Sequence, residues 1–331
     1  PAAQSPHGRL RIGLPRVLDM YEHLPFWRAL LEGCGFEVVL SDESGQALYE
    51  RGIGALMSDN ICLPAKLAHG HVVNLVDKGV DRVLLPYVVY AEKAFERSAN
   101  SFNCPIVTAY AEVLRSAHLP GASAPVPFDS PPVAFHDPLL LEKACRRYLR
   151  SLGVGAALFR RAFRRALRAQ GAFRRALAEA NDAILGEARR RGETVVLVAG
   201  HPYHADRMVH QQVSQILADM GVHVINEDIA AGGEGEGFGE FFAVSQWEYP
   251  SRILQSAWWA SRQPFPLGFI QLNSFGCGPD SFIMDEVRDL ARRARLPFAL
   301  VRVDEISSPG SVRLRLRSLV ESLKLKERGP A

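Results

Sequence analysis

The stretch Leu267-Gly-Phe-Ile-Gln-Leu-Asn-Ser-Phe-Gly-Cys-Gly-Pro-Asp280 decides how the chain is read. Residues 267–272 form an unbroken apolar run of strand length, the pattern of a strand covered on both faces. A Gly- and Pro-rich turn follows, and residues 282–293 then repeat apolar positions at helical spacing. The same alternation extends outward. Strands are expected at 194–198, 222–226 and 298–303, and helices at 209–220, 251–262 and 312–323. The N-terminal part has strands at 11–14, 36–40, 53–57 and 82–89 and a short one at 106–108. Its helices fall at 21–31, 46–50, 64–78 and 109–116. Alternation of this kind predicts parallel sheets with helices on both faces. The fold class expected is α/β, with two Rossmann-like (flavodoxin-like) parallel-sheet domains and a helical segment between them.

The expected boundaries are a disordered tail over 1–10, an N-terminal α/β domain over 11–120, a linker over 121–136, a helical segment over 137–192 and a C-terminal α/β domain over 193–325. The linker assignment rests on its Pro, Ala and Ser content and its lack of periodicity. The helical segment holds a near-repeat, Phe163-Arg-Arg-Ala-Leu167 and Phe173-Arg-Arg-Ala-Leu177, with arginines opposite an apolar stripe. That pattern reads as a solvated basic face or as a docking surface for an acidic partner.

Of the 331 residues, 47% are hydrophobic and 23% charged, the profile of a folded globular chain. The formal net charge of +3 argues against a nucleic-acid partner. No apolar run reaches the ~18 residues that suggest a membrane span. The N-terminus has no signal-peptide pattern, and the missing initiator Met fits a piece cut from a longer fusion. Five cysteines are too few, and an odd number, for a disulfide framework, so a reducing cytoplasm is the expected compartment.

Three cysteines fall where open α/β sheets bind ligands, in loops at the carboxyl ends of strands. Cys62 opens the helix that contains Pro64. Cys104 lies in Ser101-Phe-Asn-Cys-Pro105. Cys277 is flanked by Gly276 and Gly278, which let backbone N–H groups approach a bulky anion. Thiolates hold the irons of a cluster, and helix N-termini favour the thiolate form. Three cysteines would leave one iron of a [4Fe–4S] cluster open. Zinc sites show a closely spaced ligand pair, and no Cys/His pair of that kind is present. Cys34 and Cys145 read as structural. His201 and His204, in His201-Pro-Tyr-His204, follow a strand and are candidates for proton handling or a structural turn. Lys66 and His69 share a helical face with one another near Cys62. The loop 232–239 carries glutamates that repel phosphate, and no Walker A sequence occurs, so no direct ATP binding is expected.

Taken together, several motifs resemble one family. They are Arg11-Ile-Gly-Leu-Pro-Arg16, Pro25-Phe-Trp27, Cys62-Leu-Pro-Ala-Lys66, Phe102-Asn-Cys-Pro105, His201-Pro-Tyr-His204 and Gln271-Leu-Asn-Ser-Phe-Gly-Cys-Gly-Pro-Asp280. The chain resembles 2-hydroxyacyl-CoA dehydratase and benzoyl-CoA reductase-like proteins, in the branch linked to CoA-enzyme activases. The resemblance implies an iron–sulfur component of a cytoplasmic, anaerobic, ATP-dependent system. In such systems an activase delivers a low-potential electron to a [4Fe–4S] cluster, and an acyl-CoA substrate is dehydrated or reduced through a ketyl radical. It also implies an activase protein or fused activase domain as partner, and a second dehydratase-like subunit. By position it makes Cys62, Cys104 and Cys277 the ligands. The chain is shorter than a complete dehydratase subunit. Two alternatives therefore stay open: a double-cluster small-molecule reductase, and a non-catalytic activase-docking relay or regulatory protein.

Overall fold

The computed structural model describes residues 4–5, 8–117, 126–231 and 238–327. The chain forms two compact units, Pro1–Glu92 with Asn103–Arg174, and Lys93–Phe102 with Arg175–Ala331. Lys93–Phe102 thus packs with the second unit, although it lies inside the stretch expected as the N-terminal domain. Residues expected as a tail include a short antiparallel pair, Gln4–Ser5 with Gly8–Arg9.

The first unit carries strands β1 (Arg11–Leu14), β2 (Glu37–Leu40), β3 (Arg82–Leu84), β4 (Tyr87–Tyr90), β5 (Phe128–Asp129) and β6 (Pro132–Ala134). Its helices are α1 (Met20–Gly33), α2 (Gln46–Ile53), α3 (Leu63–Asp77), α4 (Pro105–Ser116) and α5 (Pro138–Ser151). A long helix, α6 (Ala156–Arg191), carries residues of both units. The sheet order is β2-β1-β3-β5, with β4-β6 as a second pair, and every pairing is parallel. Ile12 and Leu14 of β1 and Val83 and Leu84 of β3 are fully buried, as strands covered on both faces require.

The second unit has strands β7 (Val195–Ala199), β8 (His223–Asn226), β9 (Leu267–Ser274) and β10 (Phe298–Val303). Its helices are α7 (Val213–Asp219), α8 (Glu248–Ser261), α9 (Gly278–Ser281), α10 (Met284–Arg293) and α11 (Pro309–Glu327). All four strands are parallel, in the order β8-β7-β9-β10. Val195, Leu197, Leu267 and Phe269 pack in one core with Ile253, Leu254, Ala257 and Val287. The expected fold class is therefore observed: parallel α/β sheets with helical segments. Each sheet reverses its strand order beside its first strand, which places a ligand crevice at the carboxyl ends of β1 and β3 in one unit and of β7 and β9 in the other.

Several expected elements differ. No strand forms at 53–57, because α2 runs to Ile53 and a turn follows. The strand expected over 82–89 is split into β3 and β4, since Pro86 has no N–H to donate to a ladder. Residues 106–108 are helical: Cys104 is the N-cap of α4 and Pro105 its first residue, a start signal stronger than the β-branched run behind it. Part of the expected linker is ordered as β5 and β6. Asp129 is pinned there by both nitrogens of the Arg82 fork, at 2.6 and 2.7 Å, and by the Tyr148 hydroxyl at 2.9 Å. The helix expected over 209–220 begins only at Val213, after left-handed Gln211 and Gln212. Residues 121–125 and most of the Gly/Glu-rich loop 232–239 lie outside the described residues. Among the described residues no helix is long and apolar enough to cross a membrane.

Candidate functional site

In the first unit, Cys62 is the N-cap of α3 and Cys104 the N-cap of α4, each with extended ψ and a proline in the first helical turn. A proline there loses nothing, because the first N–H groups of a helix have no intrahelical partner. Neither cysteine is in a disulfide, and both are partly buried. Burial, with a smaller contribution from the neighbouring Cys104, pushes the Cys62 thiol up to about 11, against the opposing effects of the Ala65 N–H and Lys66. The two cysteines therefore face each other electrostatically, and a thiolate at Cys62 needs a cation beside it.

Helix α3 is buried along nearly its whole length. Its Lys66 lies beside Cys62. His69 meets the Tyr110 hydroxyl through Nε2 at 2.9 Å, with the rings edge to face. Burial lowers the His69 pKa to about 4 and raises that of Tyr110, to which Cys62 adds. His71 is tied at both nitrogens, to Ser41 Oγ at 2.7 Å and Ser44 Oγ at 2.9 Å, and fastens the loop after β2. Gly70 makes this packing feasible, because a Cβ there would sit 2.1 Å from the Leu48 carbonyl oxygen.

A second buried network stands at the end of β1. Asp19 Oδ2 lies 2.6 Å from His23 Nδ1, and its Oδ1 accepts from Asn103 Nδ2 at 3.2 Å. Asn103 immediately precedes Cys104, and its backbone N–H donates to Val89 of β4 at 3.1 Å. The His23 ring stacks on Phe135, 3.5 Å between centroids.

In the second unit, β7 delivers His201 and β9 delivers Asn273 and Cys277. His201 Nε2 lies 2.6 Å from Asp280 Oδ1, and Asn273 Nδ2 donates to the other carboxylate oxygen at 2.9 Å. Burial alone would raise the Asp280 pKa, but His201 and Asn273 outweigh it and hold the carboxyl below its ordinary range. Cys277 Sγ lies 3.9 Å from the same His201 Nε2. Because one nitrogen faces both Asp280 and the thiol, this is not a Cys–His–Asp relay, which needs the carboxylate on the opposite ring nitrogen. The left-handed Gly276, φ +78°, turns the chain between β9 and Cys277. Gly278 starts α9. Exposed Phe275 and Phe282 flank the loop.

His204 accepts from the His201 N–H at Nδ1, 2.8 Å away, and its Nε2 lies 3.2 Å from Ser274 Oγ. Burial drives its pKa down to about 3, so it is a neutral latch between β7 and β9. Glu227, just past β8, accepts from the Gly200 N–H at 3.3 Å, and burial with Asp228 nearby raises its carboxyl to about 8.

The sequence motifs thus place Cys62, Cys104 and Lys66 together in one unit, and His201, His204, Cys277, Gly276 and Gly278 together in the other. His201, Cys277 and Asp280 offer ligand atoms that all lie within 4.8 Å of one another, a set able to hold a metal ion. Cys34 and Cys145 are fully buried neighbours whose thiols are both raised by burial. Sequence reading missed Asp280, Asn273, Asp19, Asn103 and Tyr110. The Cys277–Asp280 spacing of three was the available signal for the first. The others meet their partners only through the fold.

Residues 11–230 match the family model described as CoA enzyme activase uncharacterised domain (DUF2229). The chain belongs to this family. No curated protein matches it. The match covers more than half of this activase-associated chain and includes Cys62, Cys104, His201 and His204. Asn273, Cys277 and Asp280 lie beyond the matched residues of the activase-associated domain.

Proposed function

We propose that the chain is the iron–sulfur component of an ATP-dependent, activase-driven acyl-CoA dehydratase or reductase system, with Cys62, Cys104 and Cys277 as ligands of a [4Fe–4S] cluster. The observation that carries this reading is the pairing of Cys62 and Cys104 at the starts of two helices in the first unit. The donor set fits the group. Neither cysteine is in a disulfide, the prolines fix their loops, and desolvation makes the Cys62 thiol unfavourable as a thiolate unless a metal or cation compensates it. Cys277 adds a third partly exposed thiol on a glycine-flanked turn. A bound cluster would supply low-potential one-electron transfer, and an activase partner would supply the ATP-driven electron. On this reading Lys66 offsets the negative charge beside Cys62, and Asn103 and Asp19 hold the loop of Cys104. His204, tied at both nitrogens, serves as a latch and not as a base.

Anaerobic reconstitution with iron and sulfide tests the proposal. Equal iron and sulfide, a brown chromophore and an EPR signal on reduction are expected, all lost in Cys62→Ser, Cys104→Ser and Cys277→Ser. An iron-free, colourless protein after reconstitution removes the reading.

One observation supports the docking alternative. Arg160, Arg161, Arg164, Arg165 and Arg168 are exposed on one side of α6 and have no hydrogen-bond or ion-pair partner among the described residues. No acidic residue occurs between Glu142 and Glu179. An acidic face on an activase suits this stripe. Activase binding that weakens steeply with salt, in a protein that takes up no cluster, selects this reading over the first.

A further inference from the structure

The three donors around Cys277 form a complete set within the second unit. Cys277 and Asp280 are three residues apart at the start of one helical turn, so one short segment supplies two ligands. This is the closely spaced pair that zinc sites use, with a carboxylate in place of a second thiol or imidazole. His201 comes from the neighbouring strand β7 across the switch point of the sheet. Tetrahedral zinc with one sulfur and harder N and O ligands needs donor separations of ~3.5 Å, given bond lengths of about 2.0–2.3 Å. The Sγ to Nε2 distance of 3.9 Å is close to that value already. The His201–Asp280 distance of 2.6 Å is shorter because a proton sits between the two groups. A metal in that place would push them apart by less than ~1 Å.

The surroundings support a site. Asp280 and His201 are buried, and Asn273 donates to the carboxylate oxygen that does not face His201. A hydrogen-bonded carboxylate ligand is what an outer shell provides in metal sites. Cys277 is only partly buried, so the set has one accessible side.

We propose that His201, Cys277 and Asp280 form a mononuclear binding site for a divalent cation of the zinc class, built by the second unit alone, with a fourth coordination position left for water or a small ligand. On binding, the thiol proton passes to solvent and the proton between His201 Nε2 and Asp280 leaves that nitrogen, to Nδ1 where the ring is neutral and to solvent where it is an imidazolium, with no redox change. The site needs neither Cys62 nor Cys104. It is an alternative to iron–sulfur loading at Cys277, so a chain that carries the cluster does not carry this ion.

Cobalt is the probe, because its bands report ligand type. The full chain, purified anaerobically without reconstitution, is titrated with Co2+ and then with Zn2+. The expected result is a thiolate-to-cobalt charge-transfer band with four-coordinate d–d bands, bleached by Zn2+. Cys277→Ala abolishes the band, and Cys62→Ser and Cys104→Ser leave it unchanged. Asn273→Ala weakens cobalt binding about tenfold, and circular dichroism confirms that each variant is folded. The proposal is overturned by a wild-type chain with no sulfur-to-cobalt band, or by a band that Cys62→Ser or Cys104→Ser removes as fully as Cys277→Ala. The second outcome would assign Cys277 to the three-cysteine set and leave the cluster reading standing. Conversely, cobalt binding with failed iron and sulfide uptake would remove that reading and leave this one.

Discussion

His69 makes the stability of the first unit sensitive to acid in a defined window. It is fully buried, its Nε2 is held by the Tyr110 hydroxyl, and burial lowers its pKa to about 4. The unfolded chain returns it to the ordinary value of about 6.5. Between those two values the unfolded state binds a proton that the folded state does not. Stability therefore rises with pH there and is lost as pH falls from 6.5 toward 4. One proton corresponds to about 1.4 kcal/mol per pH unit, so the full window is worth about 3 kcal/mol. His69→Gln is the perturbation, since Gln keeps a polar group near Tyr110 and does not titrate. Urea unfolding is followed by circular dichroism at pH 7, 6, 5 and 4 for both proteins. The wild type is expected to lose about 3 kcal/mol more than the variant between pH 7 and 4. Parallel pH profiles for the two proteins would refute the assignment of a buried, neutral His69. His204, whose pKa is lowered to about 3, adds to acid sensitivity in both proteins and cancels in the comparison.

Two further results are expected from the packing. Gly70→Ala brings a methyl group against the Leu48 carbonyl and should destabilise by about 1–3 kcal/mol or more, whereas Gly186→Ala meets nothing within 4 Å inside α6 and should stabilise by about 0.5–1 kcal/mol. Thermal unfolding of the two variants gives the opposite signs directly. In the metal-free native protein, alkylation followed by mass mapping should modify Cys62, Cys104 and Cys277 well before the buried Cys34 and Cys145. Labelling of Cys145 as fast as Cys277 would contradict the observed burial.

The strands with continuous apolar runs were legible in the sequence. β7, β9 and β10 were all expected within two residues, because a parallel strand covered on both faces needs nothing but apolar side chains. Elements decided by a single backbone group were not. Pro86 divides one apolar run into β3 and β4, and Cys104-Pro105 starts a helix where Ile106, Val107 and Thr108 suggest a strand. β5 and β6 sit in a Pro-rich stretch, and their order depends on Arg82 and Tyr148 holding Asp129, partners far away in the chain. The candidate site divides in the same way. Thiols at loop–helix junctions announce themselves through the glycines and prolines around them. The carboxylate Asp280 stood inside a quoted motif, yet its meaning comes from His201, 79 residues earlier in the chain. A search for spaced Cys and His pairs alone discards Cys277–Asp280, although the three-residue spacing is the right one.

The two units use one device at their cysteine loops, with the chain order changed. In the first, Asp19 is clamped between His23 and Asn103 at the end of β1, next to Cys104. In the second, Asp280 is clamped between His201 and Asn273 at the ends of β7 and β9, next to Cys277. A buried carboxylate with both oxygens bonded tolerates little movement, since removing a partner leaves a charge without compensation. The rigidity of each cysteine loop therefore resides in the neighbouring Asp–His–Asn group and not in the thiol. A dissociation of stability from metal content follows. Asn103→Ala and Asn273→Ala should each cost about 1–3 kcal/mol in urea unfolding and, on the cluster reading, also reduce cluster retention. On the cluster reading, Cys104→Ala and Cys277→Ala should abolish cluster retention with a much smaller loss of stability, because those thiols are partly exposed. If the cysteine variants prove the less stable members of each pair, the loops are held by the thiols themselves, and the clamped aspartates have no positioning role.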